Sequence, residues 1–394
     1  MKSKIIALAL FVFTAISVVL YPVYQSAGAV TPVAPSAHAR PRVEVVFVLD
    51  TTGSMGGLIE AAKEKIWSIA TTLAQAQPAP EIRLGLVAYR DRGDAYVTRF
   101  VDLSDDLDSL YATLMELQAD GGGDGPESVN QALYGAVHNM SWSQDPRAYK
   151  TVFLVGDAPP HMDYQDEVRY PDTLRAAAAK GIVVNAIQCG QNGQTTRDWQ
   201  QIAQLGMGRY FQVDQAGSAV AIATPFDEKL AGLSAELDAT RLYYGTAEEK
   251  RKQRRKLEAA DKLHASSSLE SRARRAAFNA SGSGAGNLLG EGELIEDVAS
   301  GRVDLASIDR EQLPEPLQAM APAAQQTLIS ETARQRSELQ QQIQELAEQR
   351  SAYLKQKVEA LGGARGSLDH KIYTAVREQA GKKGLRYRAD APEY

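Results

Sequence analysis

Phe47-Val48-Leu49-Asp50-Thr51-Thr52-Gly53-Ser54-Met55 is the stretch on which the fold turns. It closes a compact β-rich run, Val43 to Leu49, with a carboxylate. Apolar residues then recur at helical spacing from Leu58 through Ala62, Ile66 and Ile69 to Leu73. The order is strand, tight polar turn, helix. Asp50, Thr52 and Ser54 supply one carboxylate and two hydroxyls in that turn, and Gly53 lets the backbone bend. Such a turn sits at the carboxyl end of its strand, where open α/β sheets place their ligands. Hard oxygen donors of this kind suit Mg²⁺, Mn²⁺ or Ca²⁺. The competing structural roles are a helix cap for Thr or Ser and a favourable position near a helix N-terminus for Asp50.

Outward from there the two periodicities keep alternating. Strands are expected at Ile82–Tyr89, Tyr96–Val101, Lys150–Val155, Ile182–Gln188 and Gly208–Val213. Helices are expected at Leu107–Leu117, Val129–Met140, Thr173–Lys180 and Trp199–Leu205, with another near Ala216–Ala223. Continuous apolar strands separated by helices call for a doubly wound, mostly parallel sheet covered on both faces. Tyr96–Val101, reached by the short polar stretch Arg90 to Asp94, is expected as an antiparallel edge partner.

Two further segments add carboxylates at loop entries on the same edge. Asp120-Gly121-Gly122-Gly123-Asp124-Gly125-Pro126-Glu127 is a glycine-rich loop leading into a helix, with Pro126 suited to the first turn. Lys150–Val155 ends in Gly156-Asp157-Ala158-Pro159-Pro160-His161. Three acids converging there would repel one another without a cation between them.

Asp50-Thr51-Thr52-Gly53-Ser54 resembles the Asp-x-Ser-x-Ser signature of von Willebrand factor type A domains, with Thr in place of the first Ser. The resemblance covers about Arg42 to Pro225 and implies a Rossmann-like domain with a metal-ion-dependent adhesion site for Mg²⁺ or a similar ion. By that likeness Asp50, Thr52 and Ser54 form the first ligand loop, Asp124 the middle one and Asp157 the last. Gly-Gly-Asp-x-Pro-Glu in the middle loop resembles the hemicentin-like and bacterial subset, whereas integrin relatives carry Thr there. Glu127 and His161 are expected at the rim. With one coordination position left to water, a partner's acidic side chain would displace it, so the resemblance implies a protein ligand held through metal.

Enzymatic readings are weaker. Asp50-Thr51-Thr52-Gly53 brushes against the Asp-Thr-Gly of aspartic proteases, but an extra Thr intervenes and no second copy completes a dyad. A haloacid-dehalogenase nucleophile wants Asp at position 52, where this chain has Thr. Ser54 with His161 as base, or a metal-bound water with Asp124 or Glu127 as base, are the remaining options. No HExxH helix or P-loop lysine supports them.

Composition narrows the partners further. The 394 residues carry 43 Lys and Arg against 49 Asp and Glu, a net charge of −6, which gives no basic footprint for nucleic acid. The single cysteine, Cys189, excludes intrachain disulfides and cysteine zinc clusters. Residues 1–39 have the layout of a signal peptide and tether. Lys2 and Lys4 precede an apolar run from Ile5 to Leu20, with small-residue sites at Ala27-Gly28-Ala29 and Ala37-His38-Ala39. An uncleaved membrane anchor is the alternative, and a periplasmic or extracellular location follows from either.

After residues 42–225 come a helical extension at 226–280, a Gly/Ser-rich linker at 281–291 and a helical region with a short coiled-coil character at 292–394. In the long segment Pro322–Leu361 the apolar positions Leu339, Ile343, Leu346, Tyr353 and Leu361 leave Arg350 on the seam, which favours a hairpin or bundle over a dimeric coiled coil. That half could itself be the functional part, an envelope scaffold.

Overall fold

The structure is a computed structural model that describes residues 40–123, 125–215, 222–360 and 366–387. The expected leader and tether (1–39), Asp124, most of the helix expected near Ala216–Ala223, and the last residues of the chain lie outside the described residues.

Six strands form one sheet: β1 Arg42–Asp50, β2 Glu81–Tyr89, β3 Thr98–Ser104, β4 Tyr149–Gly156, β5 Ile182–Cys189 and β6 Met207–Val213. Their order is β3-β2-β1-β4-β5-β6, with every neighbouring pair parallel except β2 and β3. Parallel strands need crossover connections, and the helices that supply them cover both faces. Helices α1 Gly56–Ala74 and α2 Leu107–Glu116 lie against one face. On the other lie α3 Val129–His138, α4 Tyr170–Ala179 and α5 Gly193–Leu205. The period of two in β1 feeds both cores. Val43, Val45, Phe47 and Leu49 join the first, while Val46 and Val48 join the second. Strand order reverses between β1 and β4, so the turns after Asp50 and Gly156 flank the switch point of the sheet.

The helical half follows as α6 Asp227–Ala239, α7 Ala247–Ser266, α8 Leu269–Asn279, α9 Ala285–Leu289, α10 Leu294–Ala299, α11 Glu315–Gln318, α12 Pro322–Ala360 and α13 Leu368–Gly381. It does not stand apart from the sheet, and the described residues from Arg40 onward form one compact unit. Phe278 of α8 packs on Trp67 of α1 at 5.9 Å between ring centroids, and Leu263 of α7 shares the same core. Leu368, Ile372 and Val376 of α13 lie in that core too, under the sheet face lined by Phe47 and Phe153. Gln379 ties the helix to β4 and β5, accepting from Tyr149 Oη at 2.8 Å and donating to Asn185 Oδ1 at 2.7 Å.

One expectation is corrected here. Ser281–Gly286 is not a flexible linker: it turns directly into α9, whose Asn287 and Leu288 are buried. Gly284 is required for contact, because a Cβ there would fall 1.9 Å from the carbonyl oxygen of Phe278. Among the helices, α12 buries one stripe, Gln325, Ile329, Arg336, Leu339, Ile343, Arg350 and Leu354, against its own chain. The two arginines of that stripe are partnered there: Arg336 with Glu293, and Arg350 Nε with Asp227 Oδ1 at 2.6 Å. Among the described residues no helix is long and apolar enough to cross a membrane.

Candidate metal centre

Asp50 is fully buried at the end of β1, in register with Tyr89 at the end of β2. The turn after it folds back on its own carboxylate, since Asp50 Oδ1 accepts from Thr52 N at 2.9 Å and from Thr52 Oγ1 at 2.7 Å. Thr52 is buried and Ser54, in the short 3-10 turn Gly53–Met55, is exposed. The glycine-rich loop is zipped onto this turn by Gly53 N to Gly121 O at 3.1 Å and Asp120 N to Thr51 O at 3.1 Å. Its far end is bound to the loop after β4, through Glu127 N to Pro159 O at 2.9 Å and His161 N to Glu127 O at 3.0 Å. Folding therefore brings the three acidic loops together, as their placement on one edge predicts.

Asp157 follows β4 at the switch point, and Gly156 before it keeps the site open. A Cβ at Gly156 would lie 2.5 Å from Tyr89 Oη and 3.0 Å from Asp50 Oδ2. Asp50 Oδ2, Glu127 Oε2 and Tyr89 Oη are buried without a hydrogen-bond partner. Burial, with the Asp157 charge adding and the Thr52 hydrogen bonds opposing, pushes the Asp50 carboxyl up to about 7. Burial and then the charges of Asp50, Asp91, Asp94 and Asp157 push Glu127 up to about 9. Buried carboxylates this poorly compensated want either a proton or a cation. The donor set, carboxylates with the Thr52 and Ser54 hydroxyls, fits a hard divalent ion. Among the described residues no three His, Cys, Asp or Glu side chains form a ready cluster, so the fit rests on mixed carboxylate and hydroxyl donors.

Glu127 is more than a rim residue, being 3% exposed with its carboxyl beside Thr52, since a Cβ on Gly122 would be 3.2 Å from both Glu127 Oε1 and Thr52 Cβ. His161 is not on the rim either. It is 5% exposed, with Nδ1 2.8 Å from Asp163 Oδ1, Nε2 3.3 Å from Asp91 Oδ2 and its ring stacked on Tyr164. Both ring nitrogens face carboxylates, which removes the reason to pair it with Ser54 as a base. Asp91 in turn accepts from Ser128 Oγ at 2.7 Å, bracing the glycine-rich loop.

Three contributors had no motif to mark them. Tyr89 could be suspected only as a polar tip at a strand's carboxyl end. Arg90 braces the first loop by donating from Nε to Thr51 O at 3.1 Å, and Gln215 donates to Asp157 Oδ2 at 2.6 Å. Arg90 reads in the sequence as part of a polar hairpin, and Gln215 carries no signal at all.

A family model described as a von Willebrand factor A domain matches residues 44–225. The von Willebrand factor A domain-containing protein 7 of Rattus norvegicus is 36% identical over 120 residues, 30% of this chain and 12% of that protein. This chain thus matches about an eighth of that relative's length. A solved von Willebrand factor type A structure from Catenulispora acidiphila shares 20% identity, covering 46% of this chain and 41% of the other at a TM-score of 0.36. Proximal thread matrix protein 1 from the mussel byssus, solved with a zinc-occupied MIDAS motif, shares 15% identity over 44% of this chain and 42% of that one, at a TM-score of 0.35.

Proposed function

Because residues 44–225 are a von Willebrand factor A domain, we propose that the protein binds a divalent cation, Mg²⁺ first and Mn²⁺ or Ca²⁺ as substitutes, and uses it to hold a protein partner. Asp50, Thr52, Ser54, Asp124 and Asp157 would hold the ion, and the bound ion supplies a positive point at which a partner's acidic side chain can dock. The supporting observation is the group of buried oxygens without partners, Asp50 Oδ2 and Glu127 Oε2, between loops that are cross-linked to one another. The chain's own residues do the positioning. Thr52 orients Asp50, Asp91 and Ser128 brace the glycine-rich loop, and Gly156 leaves the space between Asp50 and Tyr89 open.

Capture from the native envelope, with wild type beside Asp50→Ala and each with and without EDTA, tests this reading. A partner retained only by wild type and only without EDTA is the expected result, and equal capture in EDTA would sink it. Export belongs to the same proposal and rests on Lys2, Lys4, the apolar run Ile5–Leu20 and the Ala-x-Ala sites. N-terminal sequencing of the mature protein should then begin at Val30 or Arg40, and a chain beginning at Met1 in a soluble fraction would contradict it.

A further inference from the structure

Each pair of neighbouring ligand loops is tied together, but not by the same kind of bond. The first and middle loops are joined through backbone groups of Thr51, Gly53, Asp120 and Gly121, and the middle and last through Glu127, Pro159 and His161. Between the first and last loops, beside a backbone hydrogen bond from Asp157 to the Asp50 carboxylate, a side chain from a fourth segment adds a link. Gln215, two residues beyond β6, donates from Nε2 to Asp157 Oδ2 at 2.6 Å and to Ser54 O at 3.2 Å. Its other end has a seat of its own. Gly190, at φ +70°, lies under Gln215 Oε1 so closely that a Cβ there would fall 2.4 Å from it. Gly190 is itself pinned to β6 by Gly190 N to Val213 O at 3.0 Å.

We propose that Gln215 is a positioning residue of the cation centre, holding the Asp157 carboxylate and the Ser54 turn in the mutual geometry that coordination needs. The proposal rests on the reading of that centre as a cation site. A carboxylate has lone pairs to spare, so Asp157 can accept from the amide and still face an ion. Donors of this sort fix the orientation of ligating carboxylates, and their loss typically lowers metal affinity about 10- to 100-fold. Gln215 itself is exposed, so its removal leaves the core untouched. The loop after β6 thereby becomes a fourth contributor to the centre, beyond the three motif loops.

Gln215→Met keeps the length and removes the donor, while Gln215→Ala removes both. Calorimetric titration of Mg²⁺ into the EDTA-treated full chain should show both variants weakened about 10- to 100-fold, with the unfolding midpoint of the cation-free protein unchanged. Amide exchange at Ser54 and Met55, slowed by Mg²⁺ in wild type, should stay fast in Gln215→Met at the same Mg²⁺ concentration. Wild-type affinity in Gln215→Met overturns the proposal alone, as does a loss of affinity matched by a lower cation-free midpoint. A wild type that binds no Mg²⁺ overturns the cation reading along with it.

Discussion

Replacing Asp50 with asparagine is expected to abolish cation binding and, at the same time, to stabilise the cation-free protein at about pH 8. Both effects come from one buried oxygen. Asp50 Oδ2 is buried without a hydrogen-bond partner, and burial first among the causes raises its carboxyl from 3.8 to about 7. With the folded value above the unfolded one, the native state holds the extra proton between about pH 4 and pH 7, so stability is greatest below that window. It is lost as the pH rises through 7, by up to about 4 kcal/mol for this group. Glu127, pushed up to about 9, extends the same trend to higher pH. A bound cation offsets the loss by mass action, which raises the unfolding midpoint at pH 8 when millimolar Mg²⁺ is present. Asparagine keeps an oxygen for Thr52 N and Thr52 Oγ1, carries no charge and does not titrate. Its stability should therefore lose the Asp50 share of the slope between about pH 5 and pH 8, keeping only that of Glu127, and stop responding to Mg²⁺, with affinity down by more than the roughly 10- to 100-fold that loss of an outer-shell partner costs. A variant that still gains stability from Mg²⁺ would remove Asp50 from the ligand set.

The meeting of the candidate ligand loops was legible because their motifs are local in sequence. Asp50, Thr52 and Ser54 fall within five residues after an apolar strand, and Asp157 follows a second one, so the rule that parallel strands present their carboxyl ends together was enough to gather them. The antiparallel β3 was legible for a similar reason, since a short polar connection cannot make a parallel crossover. The failures share a different cause. Gly and Ser at 281–286 read as flexibility when the residues are small for contact, with Gly284 against the Phe278 carbonyl. Arg350 on the α12 seam pointed rightly away from a coiled coil, but its partner, Asp227, lies 123 positions away. His161 beside two prolines read as a rim residue, while the pairings that bury it come from Asp91 and from a stacked Tyr164. Periodicity reports which face is buried. It does not report what lies opposite, and a buried charge is intelligible only with its partner in view.

That same dependence makes Arg275 the residue whose loss should most damage the whole molecule. Arg275 is fully buried in α8 and reaches into both halves of the chain. Its Nε donates to Asp108 Oδ1 of α2 at 2.6 Å, and its Nη1 donates to Asp238 Oδ2 of α6 at 2.7 Å and to Ser234 Oγ at 3.0 Å. Burial works to raise Asp238, but the charge of Arg275, the hydrogen bond from His264 and the charge of Arg241 hold it well below the usual carboxylate range. A depressed folded pKa means that Asp238 contributes stability above its unfolded value and loses it only as the pH falls toward strongly acid conditions. Arg275→Ala removes the cation and leaves Asp108, also fully buried, with Asn287 as its remaining donor among the described contacts. Truncating one member of a buried ion network typically costs about 3–5 kcal/mol. Because Trp67, Tyr111 and Phe278 share one core across the two halves, the loss should appear in a single unfolding transition, not in release of the helical half alone. Urea unfolding of Arg275→Ala beside wild type measures the loss. A variant within about 1 kcal/mol of wild type at pH 8 would place Arg275 among ion pairs that contribute little and leave the union of the two halves to their apolar contacts.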